Sequence, residues 1–355
     1  MNSKEVIILG IESSCDDTSC AILKNGVVLS NITAGQKIHE QYGGVVPELA
    51  SRDHQKNIVV VLEAALKKAN TDLSQLSAIA FTRGPGLMGS LLVGTSFAKS
   101  LALALGIPLI EVNHMQAHIL AHFIQENASL SLGRGTEGEG ASVNSFPNFP
   151  FLCLTVSGGH TQIVKVKDHL EFELLGETLD DAVGEAFDKA AKIMGLPYPG
   201  GPLIDEYAQK GDAKKFTFSK SHVRGFNYSF SGIKTSFLYF IQNNVKEDSD
   251  FITKNLNDIC ASYQNHLIAV LMDPLLQAAK QHNIKEIAIA GGASANSQLR
   301  KQILELGKKN NFNIYIPKFE YCTDNAAMIA MTGHFKFLKK QFTGLNITPL
   351  ARYEI

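Results

Sequence analysis

A chain of 355 residues is longer than one ordinary core serves well, so two comparable domains or two halves of a split one are expected. Its 45% hydrophobic and 19% charged content, with 29 glycines, exclude collagen, coiled coil and disorder and describe a turn-rich α/β enzyme. With 33 basic against 34 acidic residues the formal charge is −1, so no global field favours nucleic acid or a membrane surface and any basic patch must be local.

In chain order, residues 5–11 and 20–32 are predicted as strands opening a hairpin, with Asn25-Gly26 as the two-residue turn. Residues 48–69 are predicted helical, 77–82 a strand, 89–105 an apolar helix after the GPGLMG turn, and PLIEV a strand leading into the helical NHMQAHILAHF. This alternation predicts a mostly parallel, helix-covered sheet. Residues 127–149 have loop composition and mark a boundary. Beyond it, FLCLTVSGGHTQIVKV repeats the strand, small-residue turn and strand of VIILGIESSCDDTSCAIL, which suggests a duplicated fold. Helices are expected at about 180–195, 201–210, 232–243 and 256–282, followed by the strand KEIAIAGG, a helix from about 295, the strand NIYIP and a last helix from about 324.

Five scattered cysteines without a CxxC (Cys15, Cys20, Cys153, Cys260, Cys322) fit a reducing compartment better than a disulfide scaffold or zinc ribbon. The opening MNSKEVIILGIESS lacks the apolar stretch of a signal peptide and no 18-residue apolar run is read elsewhere, so a cytoplasmic protein without a membrane partner is expected.

The chemistry-bearing patterns begin with His114 and His118, spaced i, i+4 so that both imidazoles project from one helix face and can share a cation. His122 continues that face, either as a competing ligand or in packing. Met115 stands where a zinc protease of the HExxH type carries its glutamate, which weakens a peptidase reading. Asp324 is the candidate third ligand, although Asp and Thr ahead of an apolar run also suit a helix N-cap. Two His and one carboxylate suit iron(II) or zinc with open positions. Val156-Ser157-Gly158-Gly159 and Gly291-Gly292-Ala293-Ser294-Ala295-Asn296 are turns whose backbone N–H groups can approach an anion, and neither fits a Rossmann or P-loop signature. Asp181, Glu185 and Asp188 share a helix face ahead of the rigid PYPGGP turn, with Asp205 just beyond. Residues 210–234 hold Lys210, Lys214, Lys215, Lys220, Arg224 and Lys234 against Asp212 alone, with Phe226, Tyr228 and Phe230 interleaved, a composition suited to phosphates and base stacking or to an ordinary charged surface.

Together, GIESSCDDT, YGGVVPELASRDH, TRGPGLMGSLLVG, NHMQAH, VSGGHTQ, GEAFDKAAK, YPGGP, FSGIKT, GGASAN and CTDNAAMIA resemble, in order from about residue 8 to 335, the universal tRNA threonylcarbamoyladenosine transferase family, formerly described as O-sialoglycoprotein endopeptidases. The resemblance implies an α/β fold of the actin, Hsp70 and hexokinase-like (ASKHA) type, two duplicated lobes with a cleft between them. The expected lobes are 1–126 and 150–355, joined by a flexible insertion at 127–149, with a final helix at about 324–340 packing back near the cleft. It implies transfer of the threonylcarbamoyl group from threonylcarbamoyl-AMP to N6 of the adenosine 3′ of the anticodon in tRNAs reading ANN codons, with release of AMP. Matched motif by motif, His114, His118 and Asp324 would hold one divalent metal, Fe2+ ahead of Zn2+. The adenylate would lie against Thr155, Val156, Ser157, Gly158, Gly159, Asp188, Gly201, Asp205 and Asn296. Lys214, Lys215, Lys220 and Arg224 are candidates for tRNA contact, Glu12, Asp16 and Asp17 for orienting groups, and the general base is unassigned. Expected partners are tRNA, an inactive paralogous subunit and a P-loop ATPase subunit, as in bacterial relatives. The competing readings are a metallopeptidase and an ATP-dependent kinase-like protein of the same fold.

Overall fold

The computed structural model describes residues 5–126, 146–219 and 223–355. The chain divides into two compact units: Met1–Lys37, Val45–Phe146 and Asp324–Ile355 form the first, Ile38–Gly44 and Pro147–Thr323 the second. The expected 127–149 insertion lies outside the described residues except at its last four positions.

The first unit opens with β1 (Ile7–Glu12), β2 (Thr18–Lys24) and β3 (Val27–Ala34), an antiparallel meander. Asn25 and Gly26 both take positive φ, 50° and 86°, which lets the turn follow the twist of the flanking strands. β4 (Ala78–Gly84) then pairs parallel to β1, and β5 (Leu109–Asn113) parallel to β4. A short β6 (Gln125–Glu126) completes the order β5-β4-β1-β2-β3-β6. Every residue of β1 is buried, as a strand covered on both faces must be. α1 (Pro47–Ala69) and α2 (Met88–Leu105) cover one face, where Ile58, Leu62 and Ala98 meet Leu9, Ile22 and Phe81. α2 is, among the described residues, the one helix of the length and hydropathy of a membrane span, contrary to the expectation that no such run exists. Ser90, Leu91, Gly94, Thr95, Ala98 and Ala102 are its buried positions, and it packs on α1 and β4.

α9 (Ala326–Leu338) packs against β1, β2 and β4. Residues Ala326–Ala330 are fully buried all round, the signature of a core helix. A Cβ at Gly10 would collide with the Ala326 carbonyl, and one at Gly333 with the Ala80 side chain, so these two glycines let the helix lie directly on the sheet. This corrects the expected lobe boundary: the chain from Asp324 onward belongs with the N-terminal unit, because the apolar α9 is buried on that unit's sheet.

The second unit repeats the plan. β7 (Phe151–Val156), β8 (Thr161–Asp168) and β9 (Glu171–Glu177) form an antiparallel meander, with β10 (Glu286–Ala290) parallel to β7 and β11 (Asn313–Tyr315) parallel to β10. The order β11-β10-β7-β8-β9 matches β5-β4-β1-β2-β3 strand for strand, which makes the duplication a matter of topology. β9 has no counterpart among the predicted elements: its half-exposed EFELLGE lacks the β-branched run that marks buried strands. α4 (Val183–Ile193), α5 (Gly200–Ala208), α6 (Ser231–Glu247), α7 (Phe251–His282) and α8 (Ser297–Asn310) complete this unit. Its core gathers Phe187, Phe237, Tyr263 and Leu267 over Leu152 and Ile289.

Candidate active site

In the first unit, α3 (His114–Leu120) starts directly after β5. Asn113 caps it, its Oδ1 accepting from Met115 N (2.9 Å) and Gln116 N (3.2 Å), so His114 and His118 occupy the first two turns of a rigidly started helix. The Asn113 amide also donates to the backbone carbonyls of Tyr353 (3.2 Å) and Glu354 (2.9 Å). At the start of α9 the N-cap is Asn325, whose Oδ1 accepts from Met328 N at 3.0 Å. Capping is thus done by the neighbour, and the Asp324 carboxylate reaches the histidines instead: its Oδ1 is 3.2 Å from Nε2 of both His114 and His118. The two Nε2 atoms are 3.1 Å apart. Donors held about 2.1 Å from one ion lie about 3.0 Å apart at right angles and about 3.4 Å apart at the tetrahedral angle, so this triangle has the dimensions and chemistry of a divalent metal site. Among the described residues it is the one such cluster of three donors. His122, in the turn Ala121–Phe123, is not part of it.

Glu12, at the end of β1, is fully buried behind His114. Its Oε2 lies 2.9 Å from His114 Nδ1 and accepts from Thr82 Oγ1 at 2.6 Å, while Oε1 accepts from Ser14 N at 2.5 Å. A carboxylate there keeps a proton on Nδ1 and leaves Nε2 as the nitrogen that faces Asp324 and would be the one to bind an ion. Burial disfavours charge on all of these groups, but opposite partners overcome it: His114 is raised well above the ordinary range by Glu12 and Asp324, while His114 holds both carboxylates low. His118, where burial dominates, is lowered, and its Nδ1 is buried with no hydrogen-bond partner. Only one of the two imidazoles therefore has an anchored tautomer. Asp17 is pushed up to about 7 by burial and by the neighbouring Asp324, Asp16 and Glu12.

His54, unremarked within the ASRDH motif, clasps the Ser13–Asp17 turn. Its Nε2 donates to the Cys15 carbonyl at 3.0 Å, which leaves Nδ1 to accept from Thr18 Oγ1 at 2.7 Å. Burial lowers its pKa, consistent with a neutral ring.

In the second unit, Thr155 and Val156 are fully buried in β7, so the Thr155–Gly159 segment offers backbone rather than these side chains. The turn is closed by Ser157 N donating to His160 O (2.8 Å) and His160 N donating to Ser157 Oγ (3.0 Å); a Cβ at Gly158 or Gly159 would point into open space, while Gly184 packs against the Gly158 backbone. Gly291, at φ 88°, abuts the Val156 carbonyl so closely that a Cβ would collide with it, which brings the GGASAN turn beside the end of β7. Asp188 Oδ1 accepts from Gly200 N (2.8 Å) and Gly201 N (3.2 Å); burial raises its pKa, those two bonds opposing. Asp205 Oδ1 accepts from Gln264 Nε2 (3.0 Å) and Ser297 Oγ (2.7 Å), and Oδ2 from Ser297 N (3.0 Å). Asn296 caps α8 through Leu299 N (2.9 Å) and donates from Nδ2 to Gln264 Oε1 (2.7 Å). Asp188 with Gly201, and Asp205 with Asn296, are thus brought together; Gln264, which joins the latter pair, carries no motif of its own.

Two expectations need correction. Asp181 and Glu185 do not join Asp188: Asp181 is bonded to Lys189 (2.9 Å) and Lys234 (2.8 Å), and Glu185 to Lys189 (2.7 Å). Tyr228 and Phe230 are no stacking wall, since both are buried in the second unit's core with Phe226 packed against it. Of the basic residues, Lys214 and Arg224 are exposed, Lys215 is paired with Asp258 (2.7 Å), and Lys220 lies outside the described residues.

Residues 27–331 match the family model described as "TsaD: tRNA N6-adenosine threonylcarbamoyltransferase". Proteins of that name from Christiangramia forsetii and Riemerella anatipestifer are 59% and 58% identical to this chain, each comparison covering 99% or more of both chains. The one from Thermosipho africanus is 47% identical over 94% of this chain and 95% of its own. Among solved structures, full-length HypF in its phosphate- and nucleotide-bound form aligns with 95% of this chain and 47% of its own at a TM-score of 0.58 and 13% identity. HypF of T. kodakarensis aligns with 96% and 49% at the same TM-score and 14% identity. The chain spans about half the length of these two structures, and the likeness is one of fold, the duplicated actin/Hsp70/hexokinase-like α/β type.

Proposed function

This chain belongs to the tRNA N6-adenosine threonylcarbamoyltransferase family, and from that premise we propose how its residues share the reaction. It is a transferase whose acceptor is tRNA and whose product is threonylcarbamoyladenosine. The donor is threonylcarbamoyl-AMP, and the acceptor is the adenosine 3′ of the anticodon in tRNAs reading ANN codons. N6 attacks the carbamoyl carbon, the bond from that carbon to the phosphate oxygen breaks with its electron pair leaving on AMP, and N6 gives up a proton.

The observation that carries this reading is the His114, His118 and Asp324 triangle, with donors 3.1–3.2 Å apart, in a chain matched by that family. These residues would hold one divalent ion, iron(II) in preference to zinc, as two imidazoles and a carboxylate suit such ions. When bound, the ion would supply Lewis acidity to the site. Glu12 keeps the His114 ring in its metal-binding tautomer. The Thr155–Gly159 backbone, Asp188, Gly201, Asp205 and Asn296 hold the adenylate: the open glycine turn receives phosphate at N–H groups, and the carboxylates and amide orient the nucleoside. Lys214, Lys215, Lys220 and Arg224 contact the tRNA backbone, with Lys215 the weakest because Asp258 already satisfies it. An anticodon loop is single-stranded, so no duplex has to be opened. An inactive paralogous subunit and a P-loop ATPase subunit complete the active assembly in the cytoplasm.

The test is incorporation of radiolabelled threonine, supplied as threonylcarbamoyl-AMP, into an unmodified ANN-decoding tRNA with those partners present. Wild type labels the tRNA and the His114→Ala/His118→Ala variant does not. Labelling that survives in the variant overturns the metal assignment.

A further inference from the structure

We propose that Gln264 is a positioning residue that bridges Asn296 to Asp205 and holds both side chains in place for the ligand. The role rests on the reading of that pair as adenylate-binding. Gln264 lies inside α7, 3% exposed, and both ends of its amide are engaged. The order of donors and acceptors follows from a single backbone group. Leu299 N can only donate, so the Asn296 atom it meets at 2.9 Å is the carbonyl oxygen, and the Asn296 amide nitrogen is the end facing Gln264. That nitrogen donates at 2.7 Å, so the Gln264 atom there is its oxygen, and the Gln264 nitrogen is left to donate to Asp205 Oδ1 at 3.0 Å.

The chain of constraints thus runs from the first turn of α8 through Asn296 and Gln264 to Asp205. With Oδ1 also bonded to Ser297 Oγ and Oδ2 to Ser297 N, the Asp205 carboxylate is held in one rotamer. One Asn296 N–H and one lone pair of Asp205 Oδ2 stay uncommitted among the described residues, a fixed donor and acceptor for the ligand. Without Gln264, Asn296 Nδ2 and Asp205 Oδ1 would each lose one bond, leaving Asn296 to its Leu299 cap and Asp205 to Ser297, and the freedom regained would have to be removed when the ligand binds, at a cost in affinity rather than in the chemical step.

The experiment measures KM for threonylcarbamoyl-AMP and kcat in the metal-loaded, fully assembled enzyme, for Gln264→Met, Gln264→Asn and Asp205→Ala. Methionine keeps the volume and removes both hydrogen bonds; asparagine keeps the amide but is too short to span both partners. Both variants are expected to raise KM about tenfold with kcat within about twofold of wild type. A glutamine that matters only for packing gives a wild-type KM in the asparagine and methionine variants with a lowered thermal midpoint, and that result overturns the proposal. Asp205→Ala separates the two levels: an unchanged KM there overturns the adenylate reading together with the proposal, whereas a raised KM in Asp205→Ala with wild-type values in both Gln264 variants overturns the positioning role alone.

Discussion

The two units run the same strand order, and each puts chemistry at the turn between the first two strands of its meander, but the turns are built oppositely. After β1 the turn is Ser13-Ser14-Cys15-Asp16-Asp17, flanked by a fully buried Glu12 that reaches His114. After β7 it is Ser157-Gly158-Gly159-His160, with no carboxylate and open space where a side chain on either glycine would project. A buried carboxylate is tolerable only against a cation or good donors, and His114, Thr82 and the Ser14 N–H supply both. A glycine turn presents backbone N–H groups, which suit an anion. On the proposed reading, one topology would carry a cation site in one copy, built from His114 and His118 on α3 and Asp324 ahead of α9 with Glu12 of β1 behind them, and an anion cradle at the glycine turn of the other.

The sharpest break in that comparison is Asp324→Ala. It is expected to abolish ion binding, followed by metal analysis and equilibrium titration, and to cut transfer by at least about a thousandfold, whereas Asp205→Ala leaves the ion affinity of the ligand-free protein unchanged. Loss of ion affinity in both variants would mean that the copies do not divide the chemistry. Next in size, Glu12→Gln keeps the side-chain volume but weakens the anchor on Nδ1, and ion affinity is expected to fall about 10-fold to 100-fold. His118 has no such anchor on Nδ1, so its ring is held through Nε2 and by packing.

The first unit's use of buried charge also has a pH signature. Glu111 accepts from Lys336 Nζ at 2.9 Å and from the Tyr353 hydroxyl at 2.8 Å. Burial alone would raise its pKa, but Lys336, Tyr353 and Arg83 hold it below the ordinary 4.5. Because the folded value lies below the unfolded one, the stabilisation is complete above 4.5 and is lost as pH falls through the folded value. Glu111→Gln should therefore cost about 2 kcal/mol in urea unfolding at neutral pH, with the gap from wild type closing in acid. The smallest effect is expected at the surface of the second unit: Lys214→Glu with Arg224→Glu weakens tRNA binding about fivefold at low salt and progressively less as salt is added, measured by filter binding. Salt-independent binding would remove both residues from the interface.

How much of this was legible depended on the range of the physics. The His114 and His118 spacing is local and reads directly as one helix face. Asp324 was ambiguous because a carboxylate ahead of an apolar helix is a good cap, and only the observed Asn325 cap releases it for the histidines. The basic and aromatic run at 210–234 misled because composition does not say which face is inside, and Tyr228 and Phe230 turn inward. Gln264 sits in no motif; its importance lies in partners 59 and 32 residues away. The lobe boundary failed for the same reason, since α9 returns to the first sheet through contacts with Gly10 and Ala80 that no window along the chain contains.

That return sets an order of assembly during synthesis. The His114 helix is translated early, but Asp324, and the Tyr353 and Glu354 carbonyls that bind Asn113, come last. At ordinary elongation rates the 147–323 segment occupies the ribosome for roughly ten to thirty seconds while the histidines wait without their carboxylate. The second unit, nearly continuous in sequence, is free to fold as it emerges, whereas the proposed ligand set is incomplete until Asp324 has been made. On that reading, ion loading would have to wait for the chain that follows the second unit.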